Sequence, residues 1–189
     1  MAILIGGQAR RFGGRDKAAL LVDGCTILDR QLAALSPLTD DVLIVGGRGV
    51  APRFVADIVP GCGPLGGLHA ALTAARGDAL FLVACDMPYV TTPFVEHLFS
   101  LAGEADIVVP ESERGYHPLC AVYSRACQEP VAARLADRRL KMLDLVACMR
   151  TRVVAVEEIR RFGDPDRLLA NVNTPGEYAG LVALQGHKL

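Results

Sequence analysis

The sequence lacks the features that would mark a membrane-spanning or general nucleic-acid-binding protein. No run approaches the roughly 18 consecutive apolar residues that a bilayer-spanning helix needs. The 20 lysines and arginines are balanced by 21 aspartates and glutamates, so the net charge is −1. A general nucleic-acid binder would carry a strongly basic balance. We therefore expect neither a membrane nor a nucleic-acid partner.

Disulfide signatures and an export signal are also lacking. None of the six cysteines belongs to a C-x-x-C pair, and a chain of 189 residues needs no disulfide scaffold. At the N-terminus, Ile3–Ile5 runs directly into Gly6, with no charged segment, long apolar stretch or cleavage site around it. These absences predict a cytoplasmic protein whose cysteines are reduced and mostly buried.

The pattern that is present predicts an α/β fold. Hydrophobic residues make up 51% of the chain and charged residues 22%, as in globular proteins. No repeat or composition break divides residues 1–189, so we expect one domain. The predicted strands are Ala2–Ile5, Val42–Val45, Leu80–Ala84, Ile107–Val109, Leu119–Tyr123 and Val153–Val156. The predicted helices are Thr26–Leu35, Gly67–Arg76, Pro93–Leu101, Arg125–Leu135, Leu140–Met149 and Pro175–Leu184.

Two of these helices carry start signals, and one strand indicates the sheet type. Thr92 and Thr174 each precede a proline, which predicts a hydroxyl cap before an N1 proline. The continuous apolar run Leu80–Ala84 is typical of a central parallel strand that is covered on both faces. Ligands bind at the carboxyl ends of such strands, so the loops that follow them are the candidate site.

The segment Gly6–Lys17 follows the first predicted strand and has the composition of a phosphate-binding loop. It contains four glycines and four basic residues against the single acid Asp16. Backbone N–H groups and the side chains of the three arginines and Lys17 suit a polyphosphate. It is not a Walker loop, because Lys17 follows an aspartate and no Ser or Thr comes next. The alternative is a basic turn without a ligand.

A second glycine-rich segment, Gly61–Gly67, leaves a dinucleotide-binding alternative open. Residues 61–66 match G-x-G-x-x-G, and Asp86 lies 20 residues beyond Gly66, where such a unit places its ribose-binding acid. Against this reading, Pro64 removes a backbone donor from the turn that would bind pyrophosphate.

Asp86 emerges from the most hydrophobic strand into the expected ligand-binding edge. A carboxylate there suits Mg²⁺, which takes few protein ligands and completes its shell with water and substrate phosphates. The alternative is an aspartate that only shapes the turn before Pro88. Asp57 is equally compatible with a nucleoside contact and with a turn. His117 is compatible with a structural hydrogen bond, and Asn173 with a helix entrance.

Together these motifs resemble a known family. The first motif is Leu4-Ile5-Gly6-Gly7 with Arg11, Gly13 and Asp16-Lys17, and the second is Gly63-Pro64-Leu65-Gly66-Gly67. The later motifs are Cys85-Asp86-Met87-Pro88, His117-Pro118 and, last, Asn171-Val172-Asn173-Thr174-Pro175. Their order along almost the whole chain is similar to that of molybdenum cofactor guanylyltransferases, the MobA-like nucleotidyltransferases. The first motif is shared across nucleotidyltransferases, whereas the second and last are much narrower.

The resemblance implies a three-layer α/β/α Rossmann-like fold with a largely parallel, mixed sheet. It implies transfer of GMP from GTP to the terminal phosphate of molybdopterin, with release of pyrophosphate and with Mg²⁺ as cofactor. The implied partners are GTP, molybdopterin or Mo-molybdopterin, molybdenum cofactor biosynthesis proteins and the molybdoenzymes that accept the product.

The resemblance also assigns roles to residues. The implied nucleotide-binding residues are Leu4, Ile5, Gly6, Gly7, Lys17, Asp57, Gly63, Pro64, Leu65 and Asp86. The implied catalytic residues are Arg11, Lys17 and Asp86, of which Asp86 holds the metal, and the implied pterin-side residues are His117, Asn171 and Asn173. Two positions depart from the family pattern: Ile5 stands in place of alanine, and Gly46-Gly47 stand where the family often has asparagine.

The acceptor phosphate is already anionic, so positioning and charge stabilisation rather than a general base would drive the reaction. Basic residues further along, Arg138, Arg139 and Lys141, could attract that phosphate or form only a solvated helix face. Three alternatives remain: a molybdopterin cytidylyltransferase, a sugar-phosphate nucleotidylyltransferase, and a regulatory protein that binds GTP without turnover.

Overall fold

A mixed sheet flanked by helices organises the part of the chain that the computed structural model describes, residues 1–5, 17–46 and 53–172. The strands are β1 (Ala2–Leu4), β2 (Leu21–Val22), β3 (Cys25–Thr26), β4 (Leu43–Val45), β5 (Phe54–Val55), β6 (Ala79–Ala84), β7 (Ile107–Ser112), β8 (Gly115–Tyr116), β9 (Cys120–Ser124) and β10 (Thr151–Val154). The α-helices are α1 (Ile27–Leu35), α2 (Gly63–Ala74), α3 (Thr92–Ser100), α4 (Gln128–Ala136), α5 (Met142–Cys148), α6 (Val156–Ile159) and α7 (Pro165–Leu168).

The sheet is largely parallel with one reversed strand in its interior. Its order is β10-β7-β9-β6-β1-β4-β5, and β8 pairs with β7 outside this path. β1 is parallel to β4 and β6, β4 to β5, and β10 to β7, whereas β9 is antiparallel to β6 and β7. The reversal of β9 places its first residue at the edge where β6 ends. The sheet is therefore mixed and mostly parallel, as predicted.

Alternate residues of the central strands pack on opposite faces of the sheet. Leu80 and Leu82 of β6 belong to the cluster that includes residues of α2, α4 and α5, whereas Phe81 and Val83 belong to the cluster that includes residues of α1 and α3. Burial of one such large side chain stabilises the fold by about 1.5–3 kcal/mol. Because both faces are covered, β6 has no polar alternation, which explains its continuous apolar run.

The predicted elements have counterparts wherever the chain is described. All six predicted strands are confirmed, although the last one, predicted as Val153–Val156, ends at Val154 because Val156 begins α6. The first five predicted helices are confirmed, the fourth with a 3-10 turn, Arg125–Cys127, before α4. The sixth, Pro175–Leu184, and its cap Thr174 lie outside the described residues. The short strands β2, β3, β5 and β8 and the helices α6 and α7 were not predicted.

The predicted hydroxyl cap at Thr92 is wrong. The cap residue of α3 is Thr91, which makes no side-chain capping bond, and Pro93 is the second helical residue. The Thr92 hydroxyl instead donates a 2.8 Å hydrogen bond to the carbonyl of Ala34 at the end of α1. A tertiary contact between two helices therefore replaces the local cap.

All six cysteines are free thiols, as expected, and four of them are buried. Cys25 and Cys148 are exposed, which the sequence did not predict. None of the helices in the described ranges combines the length and the apolar character that crossing a membrane requires.

The end of α4 yields a stability prediction at Arg138. The Arg139 N–H bonds the Arg134 carbonyl at 2.9 Å and the Arg138 N–H bonds the Leu135 carbonyl at 3.2 Å, which is the pattern of a Schellman cap. Arg138 occupies the left-handed position with φ 57°, where glycine is preferred. Arg138→Gly should raise the free energy of unfolding by about 0.5–1 kcal/mol, measured by urea denaturation. Arg138→Ala removes the side chain but keeps the backbone strain, so it should not raise the free energy of unfolding. Equal urea midpoints for the two variants would contradict the prediction.

Candidate active site

A cavity of about 230 Å³ lies at the carboxyl edge of the sheet, where β1, β4 and β6 end together. The register pairs Leu4 with Val45 on one side and with Ala84 on the other, so the three ends are level. The Ile5 N–H bonds the Val45 carbonyl at 2.8 Å, and the Cys85 N–H bonds the Leu4 carbonyl at 3.0 Å. The lining residues are Leu4, Ile5, Val45, Gly46, Asp57, Gly63, Pro64, Gly67, Ala84, Cys85, Asp86 and Leu119.

Asp86 is held at this cavity by hydrogen bonds to the turn that carries it. The Met87 N–H bonds the Ala84 carbonyl at 3.2 Å, which closes the turn around Asp86. The side-chain amide of Gln31 donates to the carbonyls of Ala84 (2.7 Å) and Met87 (3.0 Å). The Val172 N–H donates to the Asp86 carbonyl at 2.8 Å. The backbone of Asp86 is therefore fixed from two sides.

Gln31 is a positioning residue that sequence reasoning missed. It lies in α1 and is only 1% exposed. Glutamine is rarely buried, and a buried amide needs hydrogen-bond partners. Its partners lie 53 and 56 residues further along the chain. The one available signal was a polar residue among apolar ones on the buried face of a predicted amphipathic helix.

Gly46 brings two strand ends closer together than any other residue would allow. Its φ is +80°, and a Cβ built on it would lie 2.4 Å from the Ile5 carbonyl oxygen. The Gly46 N–H bonds the Val55 carbonyl at 3.1 Å, which holds this position in the sheet. At this position, where the sequence departs from the family pattern, the backbone has a conformation that accepts only glycine.

The segment predicted as a second glycine loop, Gly61–Gly67, is helical from Gly63 onward and forms the start of α2. The helix begins at Gly63, four residues before the predicted start, because Pro64 occupies the first turn, where its missing N–H costs no hydrogen bond. Gly63, Pro64 and Gly67 line the cavity. A Cβ at Gly67 would lie 2.8 Å from Leu4 Cδ2, so the glycine allows the helix to approach β1.

Leu65 differs from the other predicted residues of this turn. Its side chain is fully buried in the core that includes α2, and it does not line the cavity. Only its backbone N–H, in the first helical turn, remains as a group for a ligand.

Among the described residues, two carboxylates line the cavity, those of Asp86 and Asp57. Asp57 lies in the connection from β5 to α2, and Asp86 lies two residues after the end of β6. Within the described ranges, no group of three or more His, Cys, Asp or Glu side chains is arranged to hold a metal. One or two carboxylates with space for water and phosphate match the needs of Mg²⁺, so this donor set fits that ion.

Of the three predicted basic residues after α4, Arg138 contacts the start of α2, next to the residues that line the cavity. Its Nη1 lies 3.6 Å from Sγ of Cys62, the cap residue of α2. Arg139 and Lys141 are exposed.

His117 and Asn171 lie near the cavity but do not line it. His117 precedes β9, whose neighbour Leu119 lines the cavity and accepts a 2.9 Å hydrogen bond from the Ala84 N–H. Asn171 is exposed and directly precedes Val172, which is bonded to Asp86. Both are thus close in the structure to the turn that carries Asp86.

The remaining predicted site residues fall outside what is described. Gly6, Gly7, Arg11 and Asn173 lie outside the described ranges. Lys17 begins a 3-10 turn, Lys17–Ala19, and its side chain is not among those described.

The sheet order contradicts the dinucleotide-binding alternative. In such a unit, the strand before the glycine turn and the strand that ends at the ribose-binding acid are neighbours. Here β5 precedes the glycine turn and β6 ends two residues before Asp86, but β1 and β4 lie between these two strands. The G-x-G-x-x-G match is therefore incidental.

Larger pockets exist, but they lack this convergence of strand ends. One of about 470 Å³ lies between α1, α7 and the segment after Asp86 and includes Arg30, Tyr89 and Arg167. Another of about 500 Å³ lies around Met1 and Asp41, at the opposite edge of the sheet. The 230 Å³ cavity is the one that collects the sequence-predicted residues.

Comparison with known proteins identifies the family. Residues 1–150 match the MobA-like NTP transferase domain. The molybdenum cofactor guanylyltransferase of Desulfosudis oleivorans is 34% identical over 182 residues, covering 93% of this chain and 90% of that protein. The probable molybdenum cofactor guanylyltransferase of Methanosarcina acetivorans is 34% identical over 198 residues, covering 95% and 88%. The solved structure of molybdopterin-guanine dinucleotide biosynthesis protein A from Archaeoglobus fulgidus superposes with a TM-score of 0.84 at 23% identity, covering 98% and 97%. The chain therefore belongs to the family of MobA-like NTP transferases.

Proposed function

We propose that the protein transfers GMP from GTP to the terminal phosphate of molybdopterin, forming the guanine dinucleotide cofactor and releasing pyrophosphate. The observation that carries the proposal is the cavity at which β1, β4 and β6, the first turn of α2 and Asp86 meet. Ligands of parallel sheets bind at such an edge. The names of the related guanylyltransferases supply the substrates.

The nucleoside fits the side of the cavity formed by main chain. Leu4, Ile5 and Gly46 offer backbone groups without bulky polar side chains, and Gly63 and Pro64 offer the opposite wall. Guanine carries donors at N1 and at its exocyclic amine, so Asp57 is the candidate acceptor for the base or ribose. The basic segment Gly6–Lys17, by its composition, would bind the triphosphate.

The reaction needs positioning more than proton transfer. The terminal phosphate of molybdopterin is anionic at neutral pH, so one of its oxygens can attack the α-phosphorus of GTP without a general base. The new P–O bond forms as the bond from the α-phosphorus to the bridging oxygen breaks, and pyrophosphate leaves with that electron pair. Arg11 and Lys17 would neutralise the charge on the leaving group.

The described residues supply the rigid part of this arrangement. Gln31 and Val172 fix the turn around Asp86 through three hydrogen bonds of 2.7–3.0 Å to the carbonyls of Ala84, Asp86 and Met87. Asp86 would hold Mg²⁺, with Asp57 as the other carboxylate in the cavity. When bound, the ion neutralises charge on phosphate oxygens. Because the backbone of Asp86 is held in this way, only its side-chain torsions lose freedom when the carboxylate binds its ligand.

Base choice tests the proposal. A site whose buried polar groups match guanine leaves them unpaired with cytosine, and each unpaired group costs about 1–3 kcal/mol. We expect GTP to be preferred over CTP by at least about tenfold in kcat/KM. The measurement is steady-state pyrophosphate release with molybdopterin, Mg²⁺ and each nucleotide in turn.

The controls separate the alternatives. Reactions without molybdopterin report hydrolysis, and reactions with ATP and UTP report general tolerance of the base site. Preference for CTP would support the cytidylyltransferase, and turnover with a sugar phosphate but not molybdopterin would support the sugar-phosphate enzyme. Binding of GTP without pyrophosphate release would support the regulatory protein.

A further inference from the structure

A buried serine is bonded to the ring of His117. Ser112 is the last residue of β7, and its side chain is buried. Its Oγ lies 2.7 Å from Nε2 of His117. The hairpin of β7 and β8 sets this distance, because Ser112 pairs with Gly115 and Glu111 pairs with Tyr116, immediately before His117.

The surrounding hydrogen bonds favour one assignment of the protons on Ser112 and His117. The Arg114 N–H donates to Ser112 Oγ at 3.2 Å, so the serine oxygen already accepts a hydrogen bond. The hydroxyl has one proton to donate, and within the described chain Nε2 of His117 is the acceptor at hydrogen-bond distance. An Nε2–H that donated to the second lone pair of Oγ would leave the hydroxyl proton without an acceptor in the described chain. The contacts therefore favour the assignment in which the hydroxyl donates to Nε2 and the ring proton of a neutral His117 is on Nδ1.

The environment keeps this ring neutral. Burial and the nearby Arg114 guanidinium lower the pKa of His117 below its usual 6.5. Protonation of Nε2 would also leave the serine hydroxyl without an acceptor, at a site where an unmatched polar group is costly.

The backbone of His117 is anchored at the edge where Asp86 emerges. Its N–H donates to the Pro110 carbonyl and its carbonyl accepts from the Cys120 N–H, both at 2.9 Å. Two residues later, Leu119 bonds Ala84 at the end of β6 and lines the cavity. Nδ1 makes no hydrogen bond within the described ranges. It is therefore available to a bound molecule.

We infer that Ser112 is a positioning residue that holds His117 as a neutral Nδ1–H donor for an anionic oxygen of the acceptor substrate. The inference rests on the proposed function, because that function supplies an acceptor with a phosphate group. A neutral N–H donor suits such an acceptor, because it binds an anionic oxygen without delivering a proton to the oxygen that must attack. An imidazolium carries an acidic proton that it can transfer to that nucleophile in competition with the reaction.

The first test measures the tautomer and does not depend on activity. Side-chain ¹⁵N NMR of the full chain at pH 7, assigned by comparison with His117→Gln, should show the Nδ1–H form of His117. In Ser112→Ala, that preference should be lost, and in Ser112→Thr it should be kept. A wild-type ring that is predominantly Nε2–H or doubly protonated would overturn the inference.

The second test measures which of the two substrates the Ser112–His117 pair helps to bind. Ser112→Ala should raise the KM for molybdopterin by about fivefold or more and leave the KM for GTP within about twofold, with Ser112→Thr close to wild type. Ser100→Ala is the matched control, because the Ser100 hydroxyl bonds the main-chain carbonyl of His97 rather than a ring. An unchanged KM for molybdopterin, or a change confined to GTP, would overturn the inference. A wild-type protein that releases no pyrophosphate would contradict the proposed function instead, and the tautomer would still decide whether Ser112 positions His117.

Discussion

Asp86→Asn is expected to leave the protein folded and to lower the turnover of GTP at least about 100-fold, which is typical for loss of a principal electrostatic group. The substitution conserves shape and removes one negative charge. The turn around Asp86 is held by main-chain and Gln31 hydrogen bonds, none of which needs that charge. The loss should therefore fall on kcat, with little change in the melting temperature.

Asp78→Asn is the matched control for this experiment. Asp78 precedes the first residue of β6, at the opposite end of the strand from Asp86, and its side chain is fully exposed. The control should keep wild-type turnover. The measurement is pyrophosphate release across a Mg²⁺ titration, with thermal unfolding of all three proteins. Near-normal activity of Asp86→Asn at every Mg²⁺ concentration would exclude Asp86 as the metal ligand.

The central strands were predictable because their signal is local. A strand covered on both faces must be apolar at every position, so the run Leu80–Ala84 predicts the strand and its central place in the sheet. It does not predict that β9, one of its two neighbours, runs antiparallel to it. The short strands β2, β5 and β8 have two residues each and no periodicity that could be detected in the sequence. Their positions depend on pairing partners, which the sequence does not display.

The start of α2 was mispredicted because its residue types are common both in loops and in the first turn of a helix. Gly63 and Pro64 are typical of loops, yet proline is also favoured in the first turn of a helix. Gly67 is disfavoured in a helix, but the close approach to Leu4 requires it. That requirement comes from packing between the helix and β1, so local propensity could not reveal it.

The candidate site was predictable as a set of residues but not as a geometry. Leu4, Asp57, Pro64 and Asp86 were expected from motifs, and the structure brings them to one cavity. Gln31 was missed because its partners are distant in sequence and are carbonyl groups, which leave no trace in residue identity. Main-chain partners of this kind are visible only once the fold is known.

Gly46→Ala should destabilise the protein and disrupt the cavity together. The left-handed φ of 80° strains any residue with a Cβ, and the new methyl group would lie 2.4 Å from the Ile5 carbonyl oxygen. Backbone strain of about 1–3 kcal/mol and overpacking of about 1–3 kcal/mol act at the same position. We expect the free energy of unfolding to fall by about 3 kcal/mol or more, measured by urea denaturation.

Gly24→Ala separates the two causes. Gly24 has nearly the same φ, 78°, but a Cβ there meets nothing within 4 Å, so this variant carries the strain without the clash. It should lose about 1 kcal/mol and keep wild-type turnover. In Gly46→Ala, the methyl group must move from 2.4 Å to at least 3.0 Å from its neighbour, which shifts the ends of β1 and β4 where the nucleoside is proposed to bind. Displacements of this size lower rates by about 10- to 100-fold, so the KM for GTP should rise and kcat should fall. If both variants lose the same stability and keep their turnover, the close contact between Gly46 and Ile5 does not shape the site.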